Sequence, residues 1–294
     1  MTAPDLSRPA LSRKTALIVA LIGLAAVSHA VIFIRLADEA LATLVFAPFG
    51  LIAARRLGGL AGASRRRVVL LSLAAGLFLA LHFASWIASL ERITIAESTV
   101  LVSLTPLWVA LIDALAGRGR PGPALLVSIG LCLAGTGVLA FDGAQRVDGD
   151  PLGLALAAAG GLCMALYLVA GRGARERLPT PAYVTLCYGT ASVLLLAGAL
   201  ATGAALSGYS GETWLALAAL GLVSQVIGHT SYNWTLSTLP PVFVAICLLG
   251  EPVFGSLFGW LYLGEAIPPG AAIGGALILG GIWIAIRAEL RKPA

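Results

Sequence analysis

The run VVLLSLAAGLFLALHFASWIASL (68–90) contains no charged residue over 23 consecutive positions. Arg65, Arg66 and Arg67 precede it, and Glu91 and Arg92 follow it. A helix crosses a hydrocarbon core of roughly 30 Å with about 20 apolar residues, so this run is long enough to span a membrane. Its apolar positions are continuous rather than alternating, which favours a helix over a strand of a membrane β-barrel.

The composition of the whole chain supports this interpretation. Of the 294 residues, 59% are hydrophobic and 11% are charged, and the mean hydropathy is +0.95. A soluble protein carries charge on about 25% of its residues, so a soluble enzyme, a disordered protein and a fibrous protein are excluded. The basic residues lie in short runs between apolar stretches, which indicates membrane topology rather than nucleic-acid binding. The four cysteines have no metal-ligand spacing, and we expect neither a metal nor another cofactor.

Charged residues and Pro/Gly breaks divide the chain into ten predicted transmembrane helices. They are placed at 15–34, 39–54, 68–90, 94–115, 122–141, 152–171, 180–203, 212–235, 241–262 and 268–287.

The basic residues give this arrangement an orientation. With ten spans, sixteen of the 19 Lys and Arg residues fall on one side of the membrane, and only Arg35, Arg92 and Arg146 fall on the other. Cytoplasmic loops are enriched in Lys and Arg. We therefore expect both tails, 1–14 and 288–294, to lie in the cytoplasm and the protein to reside in the cell (inner) membrane.

An internal repeat relates the two halves of the chain. A shift of 146 residues aligns 70–141 with 216–287 without a gap. LHFASWIASL (81–90) then matches IGHTSYNWTL (227–236), and the mid-span Pro106 of LTPLW matches Pro252 of GEPVF.

The repeat contains five spans, 15–141 in the first half and 152–287 in the second. Because five is odd, each span and its mate must cross the membrane in opposite directions. Inverted repeats of this kind are typical of alternating-access carriers, whose substrate binds where the two halves meet. The predicted fold is thus all-α, with ten transmembrane helices built from two inverted five-helix repeats.

The second half also resembles a known family. The run LLGEPVFGSLFGWLYLGE (248–265), together with two five-span halves that each carry a mid-span proline, is similar to the drug/metabolite transporter superfamily. The nearest subgroup is the one built from two EamA-type domains. This resemblance implies a ten-helix bundle that exports or exchanges small metabolites, amino acids or drugs. The chain departs from it in span 2, where family members often carry an Arg and this sequence has Phe46-Ala47-Pro48-Phe49.

Two helix faces supply the candidate binding residues. His82, Ser85 and Trp86 follow helical spacing on span 3, and a second polar face with the same kind of spacing lies on span 8. Polar and ionisable groups inside a membrane usually face a cavity or a neighbouring helix, so either a central pocket or a helix–helix seam is compatible with them. Aromatic residues near this region are compatible with an aromatic cargo. The substrate-binding candidates are His82, Ser85, Trp86, Tyr167, Gln225, His229, Tyr232 and Asn233.

Two acidic residues are candidates for proton coupling or gating. Glu251 lies eleven residues into span 9, near the expected midplane, beside Pro252. It either holds span 9 in place or carries a proton. Glu97 lies one turn inside span 4, where it either attracts substrate at the outer mouth or occupies a helix N-terminus. Pro106 and Pro252 each free a carbonyl four residues earlier, and as a matched pair they predict hinges.

Absent residues narrow the expected substrate. No Lys or Arg lies in the middle of a span, which disfavours anionic cargo, and no phosphate loop indicates ATP binding. We expect a secondary transporter for a neutral, zwitterionic or weakly cationic small molecule, with protons or a counter-substrate as candidate partners. An intramembrane hydrolase or transferase and a passive channel are the alternatives, although no catalytic motif accompanies the Ser and His residues. The chain is expected to act in the lipid bilayer as a monomer or homodimer.

Overall fold

The computed structural model describes residues 12–30, 33, 62–141, 150–204, 206–264, 267 and 270–291. All regular secondary structure in these ranges is helical. The predicted second span, 39–54, lies outside the described residues, as do residues 1–11 and 292–294 of the two tails and Glu265 of the family-like run.

The described helices follow the predicted spans closely. A π-helical segment at Leu220–His229 is continuous with the α-helices on either side of it, Gly211–Ala219 and Thr230–Thr235. The α-helices are α1 (Arg13–Ser28), α2 (Gly62–Leu90), α3 (Ile95–Val102), α4 (Thr105–Leu115), α5 (Pro123–Phe141), α6 (Pro151–Arg175), α7 (Thr180–Thr202), α8 (Gly211–Ala219), α9 (Thr230–Thr235), α10 (Pro241–Leu248), α11 (Glu251–Leu263) and α12 (Ala271–Leu290).

Local sequence explains where several helices start and end. The Ser12 hydroxyl accepts a hydrogen bond from the Thr15 amide, and Asp150 accepts one from the Leu152 amide, so both side chains act as N-caps. Two helices stop at a glycine in the left-handed region, Gly203 after α7 (φ +71°) and Gly264 after α11 (φ +67°). A residue with a Cβ would be strained in that conformation, which makes glycine the suitable C-terminal residue.

Within the described residues, seven helical segments are long and apolar enough to cross a membrane, which confirms an integral membrane protein. The segment at 123–139 is apolar but shorter, and α1 has 16 residues. The seven segments are Arg65–Leu90, Glu97–Leu115, Pro151–Arg175, Thr180–Thr202, Gly211–Thr235, Pro241–Tyr262 and Ala271–Leu290.

The outer faces of these helices are strongly apolar. Leu215 is 72% exposed, Val193 is 67% exposed and Ile273 is 63% exposed. Exposed apolar faces of this extent suit contact with lipid rather than water. Trp283 near the end of α12 is also exposed, and the Arg287 guanidinium lies 4.7 Å from its ring centroid. An aromatic ring paired with a basic side chain is typical of the membrane–water interface.

Glycines set how closely the helices pack. Helix α5 crosses α12 where Gly135 and Gly274 each lie against the other's carbonyl oxygen, so that an added Cβ would come within 2.7 Å of it. Gly76 on α2 lies equally close to the Cys187 carbonyl of α7. By contrast, a Cβ added at Gly130 or Gly137 on α5 would have no described atom within 4 Å. Among the described residues, Gly135 is therefore at a helix seam and these two glycines are not.

Spans 4 and 9 each contain a two-residue interruption of the α-helix shortly before Pro106 and Pro252. The first break separates α3 from α4 at Ser103-Leu104, and the second separates α10 from α11 at Leu249-Gly250. The two breaks lie 146 residues apart, which is the offset of the sequence repeat. Their backbones agree: Ser103 and Leu249 both have φ −64° and ψ −9°.

Candidate functional site

Helix α2 contributes a histidine whose orientation is fixed by a neighbouring helix. Nδ1 of His82 lies 2.9 Å from the Gly160 carbonyl oxygen on α6. Since a carbonyl oxygen only accepts, Nδ1 carries the proton, and Nε2 of a neutral ring is left as an acceptor. The His82 ring stacks on Trp86 one turn later, with 6.0 Å between centroids and 10° between planes.

A second histidine lies at the end of the π-helical segment and brings three elements together. The His229 ring contacts Phe83 of α2 with centroids 5.7 Å apart, Tyr167 of α6 at 6.3 Å and Tyr232 of α9 at 6.4 Å. His229 and His82 are both buried, at 5% and 6% exposed. The two predicted polar faces, on spans 3 and 8, therefore meet in one aromatic cluster that also includes α6.

A hydrogen-bonded chain runs beside this cluster and includes two of the candidate residues. The Tyr167 hydroxyl donates to Oδ1 of Asn233 at 2.8 Å, and Nδ2 of Asn233 donates to the Tyr188 hydroxyl at 2.8 Å. Tyr188 in turn lies 3.2 Å from the Thr230 hydroxyl. Tyr167 and Asn233 thus satisfy each other, and their contacts indicate that they join α6, α7 and α9.

Other buried polar atoms on span 8 have no partner among the described residues. These are both amide atoms of Gln225, Nδ1 of His229 and the Tyr232 hydroxyl. Nε1 of Trp108, on α4, is also buried without a hydrogen-bond partner among the described residues. Buried polar groups are nearly always hydrogen-bonded, because an unpaired one forfeits its hydration without compensation. Gln225, His229 and Tyr232 are therefore the buried side chains of span 8 that keep unpaired polar atoms among the described residues.

The remaining polar candidate on α2 makes bonds only within its own helix. The Ser85 hydroxyl donates to the Leu81 carbonyl at 2.6 Å and lies 3.2 Å from the His82 carbonyl. It packs against Gly160 of α6, so that an added Cβ there would lie 3.3 Å from Oγ. This contact places Ser85 at the α2–α6 crossing.

The two acidic candidates have different surroundings. Glu97 forms a capping box with Thr94: Oε2 accepts from the Thr94 amide and hydroxyl at 2.9 Å, and the Thr94 hydroxyl accepts from the Glu97 amide. This is the geometry of a helix N-terminus. Glu251 is half-buried at the first turn of α11, and its carboxyl makes no hydrogen bond or ion pair with any residue that the structure describes.

Three features of this region do not follow from the sequence pattern. Polar spacing compared only with a period of 3.6 predicts α-helix where the structure has a π-helical segment. Tyr188 carries no pattern that separates it from other core residues. Arg175 falls among the basic residues assigned to the cytoplasmic side, yet it is 7% exposed, and its guanidinium donates to the Asn233 and Leu178 carbonyls.

The fold and the site together define a class of protein. Membrane-length helices that surround buried polar side chains are typical of solute carriers. Residues 151–287 match the model of the EamA-like transporter family. The chain belongs to this family, and with it to the drug/metabolite transporter superfamily. It is therefore a multi-pass membrane protein of a transporter family.

Individual proteins give the same assignment. An uncharacterized transporter of Archaeoglobus fulgidus is 27% identical over 208 residues, which cover 70% of this chain and 73% of that protein. An S-adenosylmethionine/S-adenosylhomocysteine transporter of Chlamydia trachomatis is 38% identical over 77 residues, covering 26% of this chain and 24% of the relative. A solved crystal structure superposes with a TM-score of 0.75 at 24% identity over 96% of this chain and all of the other, which shows a shared fold.

Proposed function

We propose that the protein is a secondary transporter that moves a small neutral, zwitterionic or weakly cationic solute by alternating access. The observation that carries this proposal is the set of unpaired buried polar atoms on Gln225, His229 and Tyr232. A solute that hydrogen-bonds to them would supply the partners that the protein itself does not. The aromatic rings of Trp86, Phe83 and His229 border the same region and suit a solute with a flat or cationic part.

An inverted-repeat architecture of ten helices, with halves at 15–141 and 152–287, is part of this proposal. Two independent similarities support it. The helix breaks before Pro106 and Pro252 share register and backbone angles. In addition, Gly160 of α6 crosses α2 at Ser85, while Gly23 of α1 crosses span 8 at the matching Ser231. A rotation that interchanges the two halves would therefore bring the crossing at Ser85 onto the crossing at Ser231.

The charges of the site support the substrate class. None of the unpaired polar atoms belongs to Lys or Arg, and the buried Arg175 donates to backbone carbonyls instead of facing the aromatic cluster. An anionic cargo would need a cation to neutralise it. The relative named as an S-adenosylmethionine/S-adenosylhomocysteine transporter makes these two zwitterions the first solutes to assay, alongside neutral and cationic amino acids.

The orientation of the protein and its membrane location are inferred from the basic residues rather than from the site. The Arg-rich loops support cytoplasmic termini, residence in the inner membrane and, with the family resemblance, outward movement of the solute. Protons or a counter-substrate would supply the energy, since the sequence has no nucleotide-binding loop. The lipid-facing surface suits a monomer or a homodimer.

Reconstitution into proteoliposomes tests the proposal. Labelled S-adenosylmethionine, amino acids and cationic amphiphiles would be presented one at a time, and we expect saturable uptake that is accelerated by unlabelled solute on the opposite side. Gln225→Leu should reduce this flux at least tenfold. Ser192→Ala is the matched control, because it also removes a buried unpaired polar atom but lies on α7.

Two outcomes would contradict the proposal. If none of the panel is exchanged or accumulated by the wild-type protein, the assigned substrate class is wrong. If Gln225→Leu and Ser192→Ala transport equally well, the site lies elsewhere in the bundle. Product formation without net movement of solute would instead indicate an intramembrane enzyme.

A further inference from the structure

The two helix breaks have the same backbone angles. They differ in which group, if any, donates a hydrogen bond to the carbonyl that the proline leaves without an amide partner. In span 4, Pro106 has no N–H to give to the Val102 carbonyl, and the Thr105 hydroxyl lies 2.8 Å from that oxygen instead. The same hydroxyl lies 3.2 Å from the Gly161 carbonyl of α6. Thr105 is 3% exposed, so this break is closed by a buried side-chain hydrogen bond.

In span 9 the equivalent position is occupied by an acid. Glu251 aligns with Thr105, and Pro252 deprives the Leu248 carbonyl of its amide partner as Pro106 deprives Val102. No side chain in the described part of the chain donates to the Leu248 carbonyl. The Glu251 carboxyl is likewise without a partner there, although it is half-buried inside a membrane-spanning segment.

A carboxyl group can replace the threonine hydroxyl in only one protonation state. The neutral form has one O–H to donate, whereas the ionised form is an acceptor only and is repelled by a carbonyl oxygen. An ionised carboxylate with no cation beside it is also costly within a membrane. The described titratable groups on the elements around α11 are Tyr232 on α9, Cys247 on α10, Arg13 and Lys14 at the start of α1, His29 directly after α1, and Arg287 and Glu289 in the last turn of α12.

We propose that Glu251 is a proton-binding site that closes and opens the break in span 9. When protonated, its carboxyl donates to the Leu248 carbonyl, as Thr105 donates to Val102, and α10 and α11 move as one unit. When the proton leaves, the carboxylate turns from the carbonyl towards the unpaired Tyr232 hydroxyl, and α11 is free to move. This inference rests on the proposed transport function and names the proton as the coupling ion.

The difference between Thr105 and Glu251 means that the break in the second half of the protein opens and closes, whereas the break in the first half does not. Thr105 cannot change its charge, so the first break stays closed at every physiological pH. The break in span 9 responds to protons through Glu251, whose carboxylate interacts electrostatically with Tyr232 of the candidate site. A solute that takes the Tyr232 hydroxyl as its own partner would compete with the ionised carboxylate for it, which couples proton binding to solute binding at one side chain.

Hydrogen–deuterium exchange on the full chain in lipid nanodiscs tests this without a known substrate. The amides of Leu249, Gly250 and Val253, which each bond to the carbonyl three residues earlier at the break in span 9, report its opening. The amides of Ser103, Leu104 and Leu107 report the matching break in span 4 and serve as the internal control. After correction for intrinsic exchange chemistry, we expect protection at the span 9 break to fall about fivefold from acid to alkaline pH, the effect of one net hydrogen bond.

Two variants separate proton binding from helix packing. Glu251→Gln keeps a donor that cannot ionise, and Glu251→Thr copies the first break; both should hold the span 9 break protected at every pH. The inference is overturned if wild-type protection at this break does not change with pH, or if the change persists in Glu251→Gln. Because exchange is measured without solute, a failed transport assay alongside pH-dependent opening would refute the proposed function alone.

Discussion

The Tyr167 hydroxyl donates a hydrogen bond to Oδ1 of Asn233 at 2.8 Å and so joins α6 to the end of span 8 inside the bundle. The same amide donates to Tyr188 of α7, and the Asn233 carbonyl accepts from the buried Arg175 guanidinium at 2.9 Å. One residue thereby holds three helices next to the aromatic cluster. These contacts give Asn233 a structural role beside the aromatic cluster.

Asn233→Ala should therefore lower stability strongly. It leaves the buried Tyr167 hydroxyl without its acceptor and the Tyr188 hydroxyl with Thr230 as its remaining partner, at a cost of about 2–3 kcal/mol in the free energy of unfolding. Tyr167→Phe removes one of the two bonds and should cost about 1 kcal/mol. Unfolding in detergent micelles, followed by heat or denaturant, measures both. Equal stabilities for the two variants would mean that Asn233 does not join both tyrosines.

Gln225→Leu should have the opposite effect on stability. Both amide atoms of Gln225 are buried without partners, so an apolar side chain of similar size removes an uncompensated cost. We expect stability to stay equal or to rise by about 1–2 kcal/mol while solute flux falls. The same unfolding measurement, paired with the proteoliposome assay, checks this. A stability loss comparable to that of Asn233→Ala would show that Gln225 has a structural partner.

The contrast between Asn233 and Gln225 shows which features of the candidate site could be predicted from the sequence and which could not. Helical spacing placed both on one polar face and paired that face with His82 and Trp86, and those faces do meet. Spacing cannot reveal whether a polar atom finds a partner, because Tyr167 and Tyr188 reach Asn233 from 66 and 45 residues away. The breaks at Pro106 and Pro252 were predictable, since a missing amide is a local property of the chain.

Two glycines that lie two residues apart on α5 should respond differently to substitution. A Cβ at Gly135 would lie 2.5 Å from the Gly274 carbonyl of α12, so Gly135→Ala must push the helices apart and should cost about 1–3 kcal/mol. At Gly137 no atom of the residues that the structure describes lies within 4 Å of the added Cβ. Gly137→Ala should therefore be neutral or stabilise by up to about 1 kcal/mol through helix propensity. Destabilisation by both alanines, measured by unfolding in detergent, would argue against this seam.

The capping box at the start of α3 predicts separate roles for its two residues. Thr94→Ala removes the side-chain acceptor for the Glu97 amide and should cost about 1 kcal/mol. Glu97→Gln keeps a side chain that can complete the box and should change stability little. Since it removes the charge, Glu97→Gln also tests whether that charge attracts substrate. Unchanged stability together with unchanged KM for solute uptake is the outcome we expect, and a raised KM would assign Glu97 to the outer mouth.

The ion pair between Arg92 and Asp150 should make stability depend on pH in acid. Arg92 lies 3.0 Å from the carboxylate that caps α6, and its hydrogen bond lowers the pKa of Asp150 below the ordinary value. The folded state thus binds this proton less tightly than the unfolded state, so the stabilisation is present above the unfolded pKa of about 4 and is lost as pH falls through the lowered one. Asp150→Asn keeps an N-cap acceptor but has no charge. We expect a small stability difference between wild type and Asp150→Asn at neutral pH, because both partners are partly exposed. That difference should disappear at low pH when unfolding is followed across a pH series, and a difference that is constant with pH would exclude the ion pair as its source.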